Sequence, residues 1–185
     1  KKTVNIAIVT DGVSENSEKH RVLLQSEISG LLEGEYRINF LSGKEYDGDW
    51  SLKVIEDVFF AAENDDNVDL VIAHGLVASH VAVNAIHLKK PTIATLFLDS
   101  DIQSVPKKGK TSGRHNLTYI QHEKTFLKDV LLYREVAPFN TLAVIGDASM
   151  TEISEFRLML ESAKTRVKKD DIDFVFIADS GDVDS

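Results

Sequence analysis

Apolar residues along this chain follow two alternating rhythms, one of short continuous runs and one of helical spacing. Residues 4–9 (VNIAIV) form a β-branched run that ends at Thr10-Asp11-Gly12, which reads as a buried strand entering a loop. Ser17 is then the expected helix cap, with Glu18 in the first turn. Val22, Leu23, Ile28, Leu31 and Leu32 recur near helical spacing until Gly34. Residues 36–41 (YRINFL) alternate polar and apolar, as a strand with one wetter face does. After a turn-rich stretch, Trp50 leads into a helix capped by Ser51 and running through Ala62, with Leu52, Ile55, Val58 and Phe59 on one face. A strand over 68–73 ends at His74-Gly75, a helix follows from about Val77 to Leu88, and Pro91 opens a strand over 92–98 that ends at Asp99-Ser100-Asp101. Strands alternating with helices predict βαβ units and a mostly parallel sheet, and the continuous apolar strands agree, since such a sheet is covered on both faces.

The rhythm breaks between Ser100 and Ile120, in a loop rich in Lys, Gly, Ser and Thr, and then restarts. Residues 126–136 read as a helix ended by Pro138, 140–145 as a strand into Gly146-Asp147-Ala148-Ser149, 151–167 as an amphipathic helix, and 174–178 as a strand leading to Asp179-Ser180-Gly181. The expected division is a first α/β lobe over 1–110, a crossover over 111–122 and a partial second α/β lobe over 123–185, cut short because no helix closes it.

The 185 residues are 43% hydrophobic and 28% charged, enough to bury a core without disulfides or metals. A net charge of -9 argues against a phosphate backbone as partner, so no nucleic acid is expected. With no cysteine, disulfide scaffolds, thiolate zinc sites and cysteine nucleophiles are excluded. No apolar run approaches the roughly 20 residues needed to span a bilayer. The chain opens on Lys1-Lys2 and enters a strand at once, which reads as a mature segment whose targeting information has been removed.

Several pieces in order carry a likeness: Asp49-Trp50 opening a helix, Val68-Asp69-Leu70-Val71-Ile72-Ala73-His74-Gly75 with Ser79-His80 beyond, and Lys90-Pro91-Thr92-Ile93. Thr111-Ser112-Gly113 with Asn116-Leu117-Thr118-Tyr119-Ile120 follows, and then Pro138-Phe139-Asn140-Thr141-Leu142-Ala143-Val144-Ile145. On these residues the chain resembles the substrate-binding proteins of ABC transporters with the type I periplasmic-binding fold. It is similar in particular to the region preceding some TolC-like outer-membrane efflux proteins. The resemblance implies parallel sheets flanked by helices, one lobe plus a partial second lobe, and a ligand held in the cleft between lobes. It also implies a periplasmic or otherwise extracytoplasmic location and a membrane transporter or outer-membrane efflux component as partner. The ligand class it implies is small and amino acid-like.

In open α/β sheets ligands bind beyond the carboxyl ends of the strands near the topological switch point. Read this way, the candidate ligand-binding residues are Thr10, Asp11 and Gly12 after the first strand, His74, Gly75 and Ser79 after the third, Asp99 after the fourth, and Asp147 in the second lobe. The helix after Gly75 offers an N-terminus for a carboxylate or phosphate. The blander account is that turns and caps need Asp, Gly and Ser anyway. His74, His80 and His87 lack the spacing of a metal pair, so no metal and no cofactor is expected. Trp50, the only Trp, is expected to pack as a staple at its helix entry, with stacking on a ligand as the alternative.

No GxSxG elbow, Walker loop or GxGxxG is present. Asp11 resembles the strand-end acids of phosphoryl-transfer enzymes and response-regulator receivers, but the third strand ends in Ala73-His74-Gly75 where a receiver needs its phosphorylatable Asp. The expected function is therefore not enzymatic. It is extracytoplasmic small-solute binding for a transport or efflux system. The alternative is a ligand-free docking or sensing module attached to an outer-membrane protein. A shortened second lobe would also expose a sheet edge, so self-association is expected of such a chain.

Overall fold

Ile6, Ala7, Ile8 and Val9 are all buried, which places β1 (Lys2–Thr10) inside a sheet rather than at its edge. In the computed structural model, which describes residues 1–41, 46–97, 100, 103–120, 126–148, 151 and 154–179, β1 lies between β2 (Tyr36–Leu41) and β3 (Leu70–His74). The sheet continues through β4 (Thr92–Ala94) and β5 (Leu117–Tyr119), giving the order β2-β1-β3-β4-β5 with every neighbouring pair parallel. This is an α/β fold with a five-stranded parallel sheet flanked by helices.

Helix α1 (Glu15–Leu32) starts one turn earlier than its sequence suggests. Ser14 is the cap, accepting from the Ser17 amide at 3.1 Å, while the Ser17 hydroxyl accepts from the Ser14 amide at 2.7 Å. Ser17 is thus the return half of a capping box and not the cap itself. Leu24 and Ile28 pack on Ile6, Ile8 and Ile72. Val22, Leu23 and Leu31 face solvent, so of the apolar positions read as one stripe, Ile28 rather than these three meets the sheet.

Helix α2 (Leu52–Asn64) buries Ile55, Phe59, Ala62 and Glu63. Helix α3 (Leu76–Asn84) buries Ala78, Ser79, Val81, Ala82 and Val83. Parallel crossovers are right-handed, so α1, leading from β1 out to β2, and α2, returning past β1 to β3, lie on opposite faces of the sheet. Where this reversal occurs, between the carboxyl ends of β1 and β3, the sheet has its switch point, with Thr10 directly beside His74.

Of the strand expected over 92–98, the described residues up to 97 are paired at 92–94 alone, and the helix expected to reach Leu88 ends at Asn84. Residues 111–122, expected as a crossover, instead contribute β5 at 117–119. Two side chains fasten this segment to the first sheet's helix layer. Arg114 Nη1 donates to the carbonyls of Val83 (2.6 Å) and Ala85 (3.1 Å), and Asn116 Nδ2 donates to Leu88 O (3.0 Å). The chain accordingly divides into one unit of Lys1–Leu96 with Pro106–Gln121 and another of Phe97–Val105 with His122–Ser185.

In the second unit, α4 (Phe126–Val136), β6 (Thr141–Asp147), α5 (Ser154–Lys168) and β7 (Asp173–Asp179) follow in order. β6 and β7 pair in parallel from Thr141↔Asp173 to Asp147↔Asp179. Met159 and Ala163 of α5 are buried with Phe126 and Phe174 around them. The strands alternate, and the side holding Ala143, Ile145, Val175 and Ile177 is exposed.

Candidate functional site

Of the residues expected at strand ends, Thr10, Asp11, Gly12, His74 and Gly75 converge at the switch point of the first sheet. The convergence begins with Asp11. Its carboxylate does not point to solvent but crosses to the next βα turn, where Oδ1 accepts from the Ala78 amide at 2.7 Å and Oδ2 from the Val77 amide at 3.1 Å. These are free donors of the first turn of α3, and a carboxylate there also opposes the helix dipole. The α3 N-terminus expected to receive a ligand's carboxylate is therefore filled by Asp11. Gly75 is what permits it, since a Cβ at that position would stand 2.3 Å from Asp11 Oδ1. Burial pushes the Asp11 pKa up, against the pull of the Ala78, Val77 and Leu76 amides and of His74.

His74 ends β3 and meets Thr95, with Nδ1 3.1 Å from Oγ1. The Thr95 hydroxyl gives its proton to Ala73 O at 3.2 Å, which makes Nδ1 the donor and leaves Nε2 of the neutral ring as an acceptor. Burial lowers the His74 pKa, and the neighbouring His20 lowers it further while Asp11 raises it. A base depressed below its ordinary 6.5 stabilises the fold above that pH and withdraws the stability as pH falls through it. Asp11, raised above 3.8, acts in the other direction, losing its contribution as pH rises from that value. Acidification from pH 7.5 to about 6 is therefore expected to lower the denaturation midpoint through His74, and His74→Gln to flatten that slope, as pH-stepped urea titrations would show. A slope unchanged in His74→Gln would put the titration elsewhere.

Ser79 was a candidate for ligand contact, and its position corrects this. It is fully buried, its hydroxyl donating to Ala73 O (3.1 Å) and accepting from the Thr95 (3.2 Å) and Leu96 (3.1 Å) amides. It holds the turn after β4 in place and has no surface for a ligand. Asp99 lies outside the described residues, as do Asp101 and Ser149. Asp147 ends β6 in the second unit, and its side chain is likewise outside what is described.

A third segment joins the switch point that the sequence did not single out as part of it. Asp47 bridges to Thr10 on the side of β1 away from His74, Gly48 N donates to Thr10 O at 3.0 Å, and Trp50 N donates to Asp11 O at 2.7 Å. Asp49 and Trp50 both have left-handed backbones, at φ 49° and 56°, a conformation costing roughly 1–2 kcal/mol for residues with a Cβ. Trp50 is 58% exposed and does not pack as a staple. One part of its indole rests on Gly12, where a Cβ would come within 2.4 Å of the ring. The local cue was the run Asp47-Gly48-Asp49-Trp50, whose turn-forming residues keep the backbone out of the helix until Ser51.

In the second unit a cleft of about 810 Å³ opens at the amino ends of β6 and β7, lined by Lys164, Lys168 and Lys169 among others. Lys168 pairs with Asp173 and Lys164 with Glu161, so two of its three lysine charges are balanced within it. It also lies at the end of the strands opposite to where parallel sheets bind ligands. Among the described residues, no three His, Cys, Asp or Glu side chains are grouped to hold a metal ion. No described helix is long and apolar enough to cross a membrane.

No protein-family model matches the chain, and no curated protein matches it in sequence. Solved structures do match in shape. An ABC domain in complex with L-Trp from Streptococcus pneumonia superposes with a TM-score of 0.58 at 19% identity, over 94% of this chain and 56% of that one. The ligand-free, open form of a substrate-binding protein with adhesive properties from Clostridium difficile gives a TM-score of 0.51 at 16% identity, over 99% of this chain and 60% of that one. The chain thus has the fold of these proteins and spans a little over half of their length.

Proposed function

We propose that this chain recognises a small solute at the carboxyl edge of its first sheet, as part of an extracytoplasmic transport or efflux system, and does so by binding rather than catalysis. The observation that supports this most is the convergence of Thr10, Asp11, Gly12 and His74 at the switch point, where open α/β sheets hold ligands. The L-Trp bound to one similar structure makes amino acids a natural first class of solute to try. A membrane transporter or a TolC-like efflux component is the proposed partner, and the periplasm or an equivalent space the proposed location. Asp11 and Gly75, with the buried Thr10 and Gly12 beside them, would shape the floor of the site, while His74 Nε2 faces the solute.

The exposed apolar side of β6 and β7, with Ile145, Val175 and Ile177, favours a second reading as a docking module, because parallel sheets are normally covered on both faces. A thermal-shift screen with amino acids, nucleosides, sugars and divalent metals separates the two. A solute at 100 times its dissociation constant is expected to add about 2.7 kcal/mol of stability. A chain that no solute stabilises, yet which self-associates with concentration, would favour docking and refute solute binding.

A further inference from the structure

Trp50 is the only tryptophan in the chain, and more than half of it lies open to solvent. An exposed indole is ordinary when its loop is loose, but this one is tied at both sides. Its own amide donates to Asp11 O, Gly48 two residues earlier donates to Thr10 O, and the ring rests on Gly12. The ring is thus fixed at the end of β1, next to the switch point, with its remaining surface turned outward. A preset aromatic surface is suited to stacking, because its conformational freedom is already lost before a partner arrives.

Charge narrows the partner. The loops at 10–14, 46–51 and 74–75 carry Asp11, Asp47 and Asp49 and contain no lysine or arginine. Of the helix ends that open at these loops, that of α3 is already capped by the Asp11 carboxylate and that of α1 by the Ser14–Ser17 box; the α2 end beside Trp50 has no side-chain cap, and the three carboxylates of these loops act against an anion there. Resting on solute binding at this edge, we infer that Trp50 is the stacking residue of the site and that its ligand presents a flat π-bonded ring with no net negative charge. A cationic ring gains further from the indole face and the neighbouring carboxylates.

Four small probes test this on the full chain: benzamidine (flat, cationic), benzamide (flat, neutral), benzoate (flat, anionic) and cyclohexanecarboxamide (neutral, not flat). With a single tryptophan, emission reports on this position alone. Benzamidine and benzamide are expected to change Trp50 emission saturably, with benzoate and cyclohexanecarboxamide about tenfold weaker or silent. Trp50→Ala, at an exposed position, should fold and lose the stabilisation by benzamidine in thermal shift. Gly12→Ala, whose Cβ would displace the indole, should keep the emission but weaken its response. Benzoate matching benzamidine would overturn the charge selection, and cyclohexanecarboxamide matching benzamide would overturn stacking. A solute that stabilises the chain equally in Trp50→Ala would remove Trp50 from the site while leaving solute binding intact. Silence from all four probes and from the wider screen would end both proposals together.

Discussion

Glu63→Ala is expected to lower the unfolding free energy by about 3 kcal/mol, through unsatisfied donors and the cavity left behind. Glu63, one residue before the end of α2, is almost completely buried, at 2% exposure. Its Oε2 accepts from the Lys89 (2.7 Å) and Lys90 (3.2 Å) amides and its Oε1 from the Thr92 hydroxyl (2.7 Å). These three donors lie in the bend through which the chain enters β4, around Pro91, and Thr92 is itself 1% exposed. Thr92 can fall back on Lys90 O at 3.0 Å, whereas the Lys89 and Lys90 amides both lose the Glu63 carboxylate they donate to. Glu63→Gln, which keeps the shape and one carbonyl oxygen, is expected to lose less. Urea denaturation should show a lower midpoint at unchanged slope for both variants. A loss below about 1 kcal/mol in Glu63→Ala would mean that water replaces the carboxylate.

Glu63 also marks where sequence reading stops. A glutamate near a helix end looks like a solvated charge, and only its fold position, opposite the 89–92 bend, makes it an internal acceptor. By contrast, whatever depends on neighbours in sequence was legible. The β-branched run of β1, the alternation of β2 and the helix 126–136 before Pro138 all formed where their patterns lie. The α/β parallel architecture followed from those patterns, since period and length are local properties. β5 was missed as a strand because three residues carry too little periodicity. Its place is set by Arg114 and Asn116 reaching back to the 83–88 carbonyls.

The candidate site divides in the same way. Asp11, His74 and Gly75 stood out because strand ends in parallel sheets are few and their loops short. What each does there depends on partners more than 60 positions away in the case of Asp11, whose bond to Val77 spans 66 residues. Ser79 had the right residue type for a ligand contact, yet its hydroxyl is consumed by Ala73, Thr95 and Leu96. Trp50 was expected to pack as a staple because it stands at a helix entry. The two left-handed residues at 49 and 50 turn it outward instead, and no local pattern of hydrophobicity announces that.

The pairing of Asp11 with Gly75 gives the second large effect, and it is a conditional one. Gly75 has an extended backbone (φ 169°) that any residue adopts, so its Cα hydrogen matters only for space. In the parent chain Gly75→Ala sets a methyl 2.3 Å from Asp11 Oδ1 and drives the carboxylate off α3. The expected loss is about 3 kcal/mol, from the lost cap and the crowding together. Asp11→Ala removes the cap without crowding and is expected to cost about 2 kcal/mol, since the burial that raises the Asp11 pKa already offsets part of what the cap contributes. In the Asp11→Ala background, Gly75→Ala has nothing left to strike, so the double variant should be about as stable as Asp11→Ala alone, a coupling near 3 kcal/mol. Denaturation midpoints of the four proteins measure this directly. Additive losses would show that Gly75 serves some contact other than Asp11. The cycle has a chemical counterpart: with Asp11 gone the α3 amides are open, so formate should stabilise Asp11→Ala and leave the parent unchanged. Formate acting equally on both would mean that Asp11 does not hold that helix end against outside anions, and the charge selection drawn from it would lose its basis.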